Sequence, residues 1–190
     1  MSLKPYYELE CSNLKEIQEQ TLTYLNAQFD LSAHSTLKTD LWVKLNTKEF
    51  IKFSPALVSW TRELGLTIKE TAITVVNDTA GADLHIDELP VVAKINIPIL
   101  NTQNVLNQWY EVPKSILETI PPNINKFGAK FYNLSSVDLS LCDKIGEIEL
   151  VKPVVFNSQI PHCVTPINNA QFPRVVLCCM FFKEPVNLLQ

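Results

Sequence analysis

The sequence of 190 residues has no stretch of about 18 consecutive apolar residues, so it contains no candidate transmembrane helix. The first residues also lack the apolar core of a secretory signal, and we therefore expect a cytoplasmic protein with no membrane partner. No cluster of Lys or Arg is present either, and the formal net charge is −4. Because nucleic-acid binders concentrate positive charge against phosphates, this composition argues against a nucleic-acid partner.

The sequence also lacks the paired cysteines of a disulfide framework or a zinc ribbon. Its five cysteines are odd in number and include no C-x-x-C pair. Cys178 and Cys179 lie within the apolar run of residues 175–182. We predict that both are buried free thiols.

The composition is 46% hydrophobic and 19% charged, which is typical of a globular chain, and the length suits a single domain over residues 1–190. The N-terminal third predicts three elements from local signals. They are a helix from the capping-box-like pair Asn13 and Glu16 through about Ala27, a strand in the alternating residues 38–45, and a helix with Ser54 as cap, Pro55 at its first position and Gly65 at its end.

From about Thr71 onward, short β-rich runs alternate with Pro, Asn and Asp turns. The predicted strands are residues 72–76, 91–100, 130–134, 145–156 with Pro153 bending or splitting the run, and 174–182. Several short strands separated by turns favour a sandwich or barrel. We therefore expect a mostly β fold with flanking helices, in which residues 1–70 form a helical support packed outside one sheet and residues 71–190 form the β core.

Two of the three histidines and one aspartate form a candidate metal site. His85 and Asp87 are two residues apart, so on an extended chain their side chains point the same way. His162 follows 77 residues after His85 (162 − 85), which leaves room for an antiparallel sheet to return it to the same place. Two imidazoles and one carboxylate form a facial triad typical of non-haem iron(II), and zinc is the competing metal.

Arg174 adds a second feature to this candidate site. It begins a strand-like run in which Arg174, Val176, Cys178 and Met180 share one face and the alternate residues share the other. Both faces are apolar, so we expect the strand to be covered on both sides. A buried guanidinium needs an anionic or polar partner, which could be a ligand carboxylate or an acidic residue elsewhere in the chain.

The order His85-x-Asp87, His162 and Arg174 resembles that of the iron(II)- and 2-oxoglutarate-dependent oxygenases. The resemblance covers roughly residues 72–182 and implies a double-stranded β-helix, a cupin-like jelly roll. It implies that His85, Asp87 and His162 hold iron, and that Arg174 binds the distal carboxylate of 2-oxoglutarate. Asn96, in the strand that follows the H-x-D motif, would contact the same cosubstrate.

The resemblance implies an activity and also has one departure. Oxidative decarboxylation of 2-oxoglutarate would drive hydroxylation of a small molecule, an amino acid or a peptide. Many members carry a Ser two residues after the arginine, where this chain has Val176. Tyr110 or Thr102 could then supply the missing hydrogen bond. The departure favours an alternative, a non-catalytic metal-binding or ligand-sensing jelly roll; a cupin enzyme that does not use 2-oxoglutarate is a third hypothesis.

Structural roles are favoured for the remaining polar and aromatic candidates. The interpretations are a surface position for His34, packing for Cys163, a core or substrate-lining role for Trp109 and Tyr110, a solvated strand face for Glu147 and Glu149 in preference to a second acidic pair, and a turn for Asp83.

Overall fold

The computed structural model describes residues 3–29, 41–77, 79–87, 90–124 and 130–190, and these residues form a mostly β fold. The strands are β1 (Tyr6–Glu8), β2 (Leu41–Lys44), β3 (Ile68–Val76), β4 (Ala82–Ile86), β5 (Ala93–Leu100), β6 (Val105–Glu111), β7 (Asn123–Ile124), β8 (Lys130–Asn133), β9 (Asp143–Glu149), β10 (Val154–Asn157), β11 (His162–Pro166) and β12 (Arg174–Phe181). The helices are α1 (Leu14–Gln28), α2 (Thr47–Phe53), α3 (Pro55–Glu63) and α4 (Lys114–Leu117), with 3₁₀ turns at Leu139–Leu141 and Val186–Leu189.

The strands form two antiparallel sheets of six strands each, as in a β sandwich. The first sheet has the order β1-β10-β5-β12-β3-β2, and the second has the order β7-β8-β4-β11-β6-β9. Strands β1 and β2 come from the first 70 residues, so this part of the chain adds both edges of the first sheet as well as helices.

The strand β12 lies in the middle of the first sheet and is buried on both faces, as its apolar sequence predicts. Val175, Leu177 and Cys179 belong to the main hydrophobic core, together with apolar residues of α1, α2 and α3. On the other face, Val176 and Cys178 point between the two sheets. The helices therefore cover the outer face of the first sheet, and the inner face is left to the site described below.

The predicted helices are present, but their predicted side-chain caps are wrong. Asn13 precedes α1 without capping it, because its amide donates to the carbonyl of Ala56 at 3.0 Å and so joins α1 to α3. Ser54 precedes α3 in the same way, and its hydroxyl hydrogen-bonds with Gln20. Tertiary contacts thus compete with local capping for these polar groups. Gly65 follows α3 with a φ of +72°, a conformation that favours glycine, as its position predicts.

Several elements were not predicted from the sequence. The helix α2 lies between the predicted strand and α3, and its cap is Asn46, which accepts from the backbone N–H of Glu49. The pattern of Asn followed three residues later by Glu is a helix-start signal that could have revealed it. Strand β6 was also missed, whereas β4 and β11 were expected only as extended segments around the histidines. Pro153 divides the run 145–156 into β9 and β10, as expected.

The thiols of Cys178 and Cys179 are buried and free, as predicted. In the part of the chain that the structure describes, no helix has the length and apolar character needed to cross a membrane.

Replacing Leu177 with alanine tests the central position of β12. Leu177 is fully buried in the main core, so the cavity left by Leu177→Ala should lower the free energy of unfolding by about 2–5 kcal/mol. Leu141 is 61% exposed and serves as the control, because Leu141→Ala should change the free energy of unfolding by less than about 0.5 kcal/mol. Urea denaturation of both variants measures the difference, and equal stabilities would contradict this packing.

Candidate metal centre

The two histidines of the predicted triad lie opposite each other on neighbouring strands. His85 on β4 and His162 on β11 are Cα partners in the antiparallel ladder, and their ring centroids are 4.3 Å apart. Asp87 follows the end of β4, where its backbone N–H donates to the carbonyl of Ser158 at 3.1 Å. Pairing of β4 with β11 therefore brings together two histidines that are 77 residues apart in the sequence, as the sequence interpretation requires.

The ligand atoms of the triad converge on one point. The Nε2 atom of His85 lies 3.6 Å from Oδ1 of Asp87, and Nε2 of His162 lies 3.6 Å from Oδ2. One ligand atom from each residue can be chosen so that all lie within 4.8 Å of one another. An ion bound about 2.1 Å from each atom needs separations of roughly 3 Å, so small side-chain adjustments suffice. His85, Asp87 and His162 can therefore hold a metal ion.

Backbone carbonyls fix the ring orientation of both histidines. The Nδ1 atom of His85 contacts the carbonyl oxygen of Asp83 at 2.7 Å, and Nδ1 of His162 contacts that of Ile160 at 2.8 Å. A carbonyl oxygen can only accept, so each Nδ1 carries the proton and each Nε2 presents its lone pair to the site. Such outer contacts orient and strengthen imidazole ligands. Asp83 lies within β4 and not in a turn, so the turn interpretation is wrong.

The surroundings shift the pKa values of the two imidazoles in opposite directions. Burial, and then the charge of His85, lower the pKa of His162 to about 3, so this ring is neutral at physiological pH. Burial also acts to lower the pKa of His85, but the contact with Asp87 and its charge outweigh it and raise that pKa. His162 can thus bind a metal without losing a proton, whereas His85, when protonated, must release a proton before it binds one.

Asp87 is ionised although it is mostly buried. Burial on its own would raise the pKa of this carboxyl, but the charge of Lys94 and the contacts with the two imidazoles hold the pKa well below its ordinary value. The ammonium of Lys94 contacts Oδ2 directly. Neither the composition nor the H-x-D motif pointed to Lys94. Its position two residues before Asn96 on the same face of β5 is the signal that could have found it.

A column of aromatic rings supports the site from one side. Tyr6 stacks on Trp109 with centroids 4.9 Å apart, and Trp109 packs on Phe156 at 4.8 Å. The edge of Phe156 meets the ring of His162 at 4.7 Å. Trp109 is fully buried, so the core interpretation of this residue holds and the substrate-lining one does not. These rings fill the space behind His162 and limit its movement.

The triad opens into a cavity of about 640 Å³ between the two sheets. Residues from both sheets line it, including Thr74 and Val76 on β3, Asn107 on β6 and Val176 on β12. A cavity of this volume is within the range of small-molecule sites. Arg174, Val176, Cys178 and Met180, which were predicted to share one face of β12, all line the cavity, because the side chains of an extended strand alternate between its faces.

Arg174 lies in the same cavity, where it is 2% exposed. Its guanidinium donates to Oδ1 of Asn107 at 3.2 Å. Asn107 is the Cα partner of Val164 and lies two residues from Trp109, the partner of His162. Asn107 thus lies one strand repeat from the partner of His162 on the same face of β6, and its amide oxygen accepts from the guanidinium.

Asn96 is the second predicted cosubstrate contact, and it also lines the cavity. It is 7% exposed, and its Oδ1 has no hydrogen-bond partner in the described structure. A buried acceptor without a partner favours a ligand or a water molecule at this position. Tyr110 and Thr102, the suggested replacements for the absent Ser, are not among the residues that line the cavity, so these two suggestions are wrong.

The remaining candidates take structural roles. The thiol of Cys163 belongs to the hydrophobic cluster of the second sheet, on the side opposite the neighbouring His162. Glu147 is exposed and pairs with Lys144 at 2.7 Å, as expected of a solvated strand face. His34 lies outside the described residues.

Comparison with protein-family models gives no match for this chain, and the search of curated proteins gives none either. The geometry of the cavity therefore carries the functional argument. A buried triad with inward lone pairs can hold a divalent ion beside a cation-lined chamber.

Replacing either histidine with alanine should abolish stoichiometric cobalt(II) binding, because each ring supplies one of three converging ligand atoms. Isothermal titration calorimetry of His85→Ala and His162→Ala measures the loss. His34→Ala is the matched control and should bind as the wild type does. Full binding by both cavity variants would refute the site.

Cobalt(II) affinity should fall as the pH falls. Metal binding must displace the proton of His85, whose pKa is raised, whereas His162 is neutral down to about pH 3. Below the pKa of His85, the affinity should therefore drop about tenfold per pH unit, with release of one proton. Titrations in buffers of different ionisation enthalpy count the protons. An affinity that is constant between about pH 5 and pH 8 would contradict this assignment.

Proposed function

We propose that this protein is an iron(II)- and 2-oxoglutarate-dependent oxygenase that hydroxylates a small molecule, an amino acid or a peptide. The observation that carries the proposal is the shared cavity. The triad of His85, Asp87 and His162 faces the same chamber as the buried cation Arg174. A site for a metal and a site for a carboxylate are therefore adjacent.

The strand order supports the jelly-roll part of the proposal. Setting aside β1, β2, β7 and β8, the other strands can be numbered one to eight along the chain. The first sheet then has the order 6-3-8-1, and the second has 2-7-4-5. A jelly roll likewise folds eight strands into two facing sheets through two Greek keys. The candidate ligands His85 and His162 lie on strands two and seven of this scheme, which are neighbours, and Asp87 directly follows strand two.

The donor set supports a metal of the iron(II) type. Two imidazoles and one carboxylate on one side of an ion leave positions open toward the cavity, as in the facial triad of non-haem iron oxygenases. Zinc accepts the same donors and is the competing metal. The chamber of about 640 Å³ is of a size that could hold a cosubstrate and a substrate beside the metal.

The surroundings of Arg174 support a dicarboxylate cosubstrate. A guanidinium carries five N–H donors, so the contact with Asn107 is compatible with a bidentate carboxylate. A short dicarboxylate could then bind Arg174 with one carboxylate and the metal with its other end, within the one cavity. Asn96, on the neighbouring strand β5, presents its side chain to the same space.

When bound, iron(II) and 2-oxoglutarate would supply the oxidation of an unactivated C–H bond. The protein's own residues bind and orient. Both imidazoles keep their Nε2 lone pairs directed inward through carbonyl contacts, and Asp87 remains ionised. Val176, Phe156 and Ile86 supply apolar parts of the cavity wall.

The second candidate function is a non-catalytic protein that binds a metal and senses a ligand. Val176 favours it, because this apolar side chain lines the cavity at the position where many members of the oxygenase family that the sequence resembles carry a Ser. In this chain the side-chain oxygen next to the guanidinium of Arg174 belongs to Asn107, which lies on β6 of the second sheet.

Succinate release tests the activity. Purified protein with iron(II), ascorbate and 2-oxoglutarate should form succinate, and a panel of amino acids, peptides and small acids should stimulate the rate. Metal binding without succinate formation under any of these conditions would favour the sensing protein.

Arg174→Ala tests the carboxylate site separately. The variant should keep cobalt(II) affinity but lose 2-oxoglutarate affinity by at least about tenfold, since a charge-assisted bidentate contact contributes roughly 1.5–3 kcal/mol. Arg62 is the other arginine of the sequence and is exposed on α3, so Arg62→Ala is the control and should change neither affinity. Calorimetry of the cobalt-loaded proteins measures both. Unchanged 2-oxoglutarate affinity in Arg174→Ala would refute the role of Arg174.

A further inference from the structure

Lys94 makes the closest contact to the triad from outside it. It lies on the cavity face of β5, and its ammonium contacts Oδ2 of Asp87. The other oxygen, Oδ1, faces Nε2 of His85 at 3.6 Å. Oδ2 also lies 3.6 Å from Nε2 of His162. Each carboxylate oxygen therefore faces one imidazole, and only Oδ2 also meets an ammonium.

The position of Lys94 is fixed by its surroundings. Its side chain is 15% exposed, and the ammonium lies 5.2 Å from the ring centroid of Phe156, its Cα partner on β10. The same ring meets His162 at 4.7 Å. One aromatic side chain thus sets the places of both the lysine and a metal ligand, and a favourable cation–π contact holds the ammonium there.

We propose that Lys94 is a positioning residue that makes Asp87 a monodentate ligand. In this arrangement Oδ1 binds the metal and Oδ2 remains on the ammonium. The role of Lys94 in holding Asp87 does not depend on the proposed function, but its consequence for cosubstrate binding does rest on it. A triad that supplies three donors leaves three positions of an octahedron open, whereas a chelating Asp87 would occupy one of them. A chelating cosubstrate and oxygen together need all three.

General principles support this role. Carboxylates that bind metals are themselves held by outer hydrogen bonds, and loss of such a partner typically costs about 10–100-fold in metal affinity or activity. An ammonium is a compact cation that satisfies one oxygen, and it leaves the other available to a second cation. Lys94 also offsets the charge of Asp87 before a metal binds, which keeps the carboxyl ionised in the buried site.

Cobalt(II) spectroscopy on the whole protein tests the proposal without turnover. Lys94→Met keeps an unbranched side chain only one atom shorter and removes its charge, so Asp87 should become free to chelate. The variant should still bind cobalt(II), but its visible ligand-field spectrum should change in position and intensity. Lys94→Arg restores a cation and should return the spectrum toward that of the wild type. A wild-type spectrum in Lys94→Met would overturn the proposal.

The consequence is measured separately, by titrating the cobalt-loaded proteins with 2-oxoglutarate. Lys94→Met should lose about tenfold or more in affinity, and Lys94→Arg should recover most of it. Lys144→Met is the matched control, because Lys144 pairs with Glu147 on an exposed strand face. If wild-type protein fails to bind 2-oxoglutarate while the spectra of wild type and Lys94→Met differ, the oxygenase proposal fails and the role of Lys94 stands. Equal 2-oxoglutarate affinity of wild type and Lys94→Met would overturn the consequence drawn for the open positions.

Discussion

Asp87 is an ionised carboxylate in the interior of a β sandwich, and the arrangement of the site depends on how its charge is compensated. Burial opposes ionisation, since a carboxylate loses most of its hydration there. Lys94 and the two imidazoles reverse the balance. These partners come from β5, β4 and β11, in both sheets, so the charge of one side chain links the two layers of the fold.

The two faces of the first sheet contact different parts of the molecule: one packs against helices, and the other lines the cavity. Its outer face packs against three helices and forms the large apolar core, which includes Leu177 and Val175. Its inner face carries Lys94, Asn96 and Arg174 into the cavity. Because side chains alternate along a strand, β5 and β12 can build the core and the site at the same time. The helical cover therefore supports the chemistry indirectly, by holding the backbones from which the polar side chains project.

The site itself could be predicted from the sequence to a considerable extent. His85 and Asp87 are close in sequence, and the period of an extended chain is enough to place them on one side. The division of the side chains of β12 between its two faces followed from the same rule. Lys94 and Asn107 could not be assigned in this way, because their roles depend on which strands become neighbours. The failed caps of Asn13 and Ser54 have the same cause, since each polar group found a partner that is remote in the sequence.

The sequence by itself determined the mostly β character, the helices α1 and α3, and the identity of the candidate ligands. These follow from local periodicity and from the small number of histidines in the chain. Only the tertiary structure decided that His85 and His162 are paired neighbours, that Arg174 rests on Asn107, and that Lys94 holds one oxygen of Asp87. Strand pairing sets these contacts, and pairing between distant strands is a property of the whole sheet that no local pattern encodes.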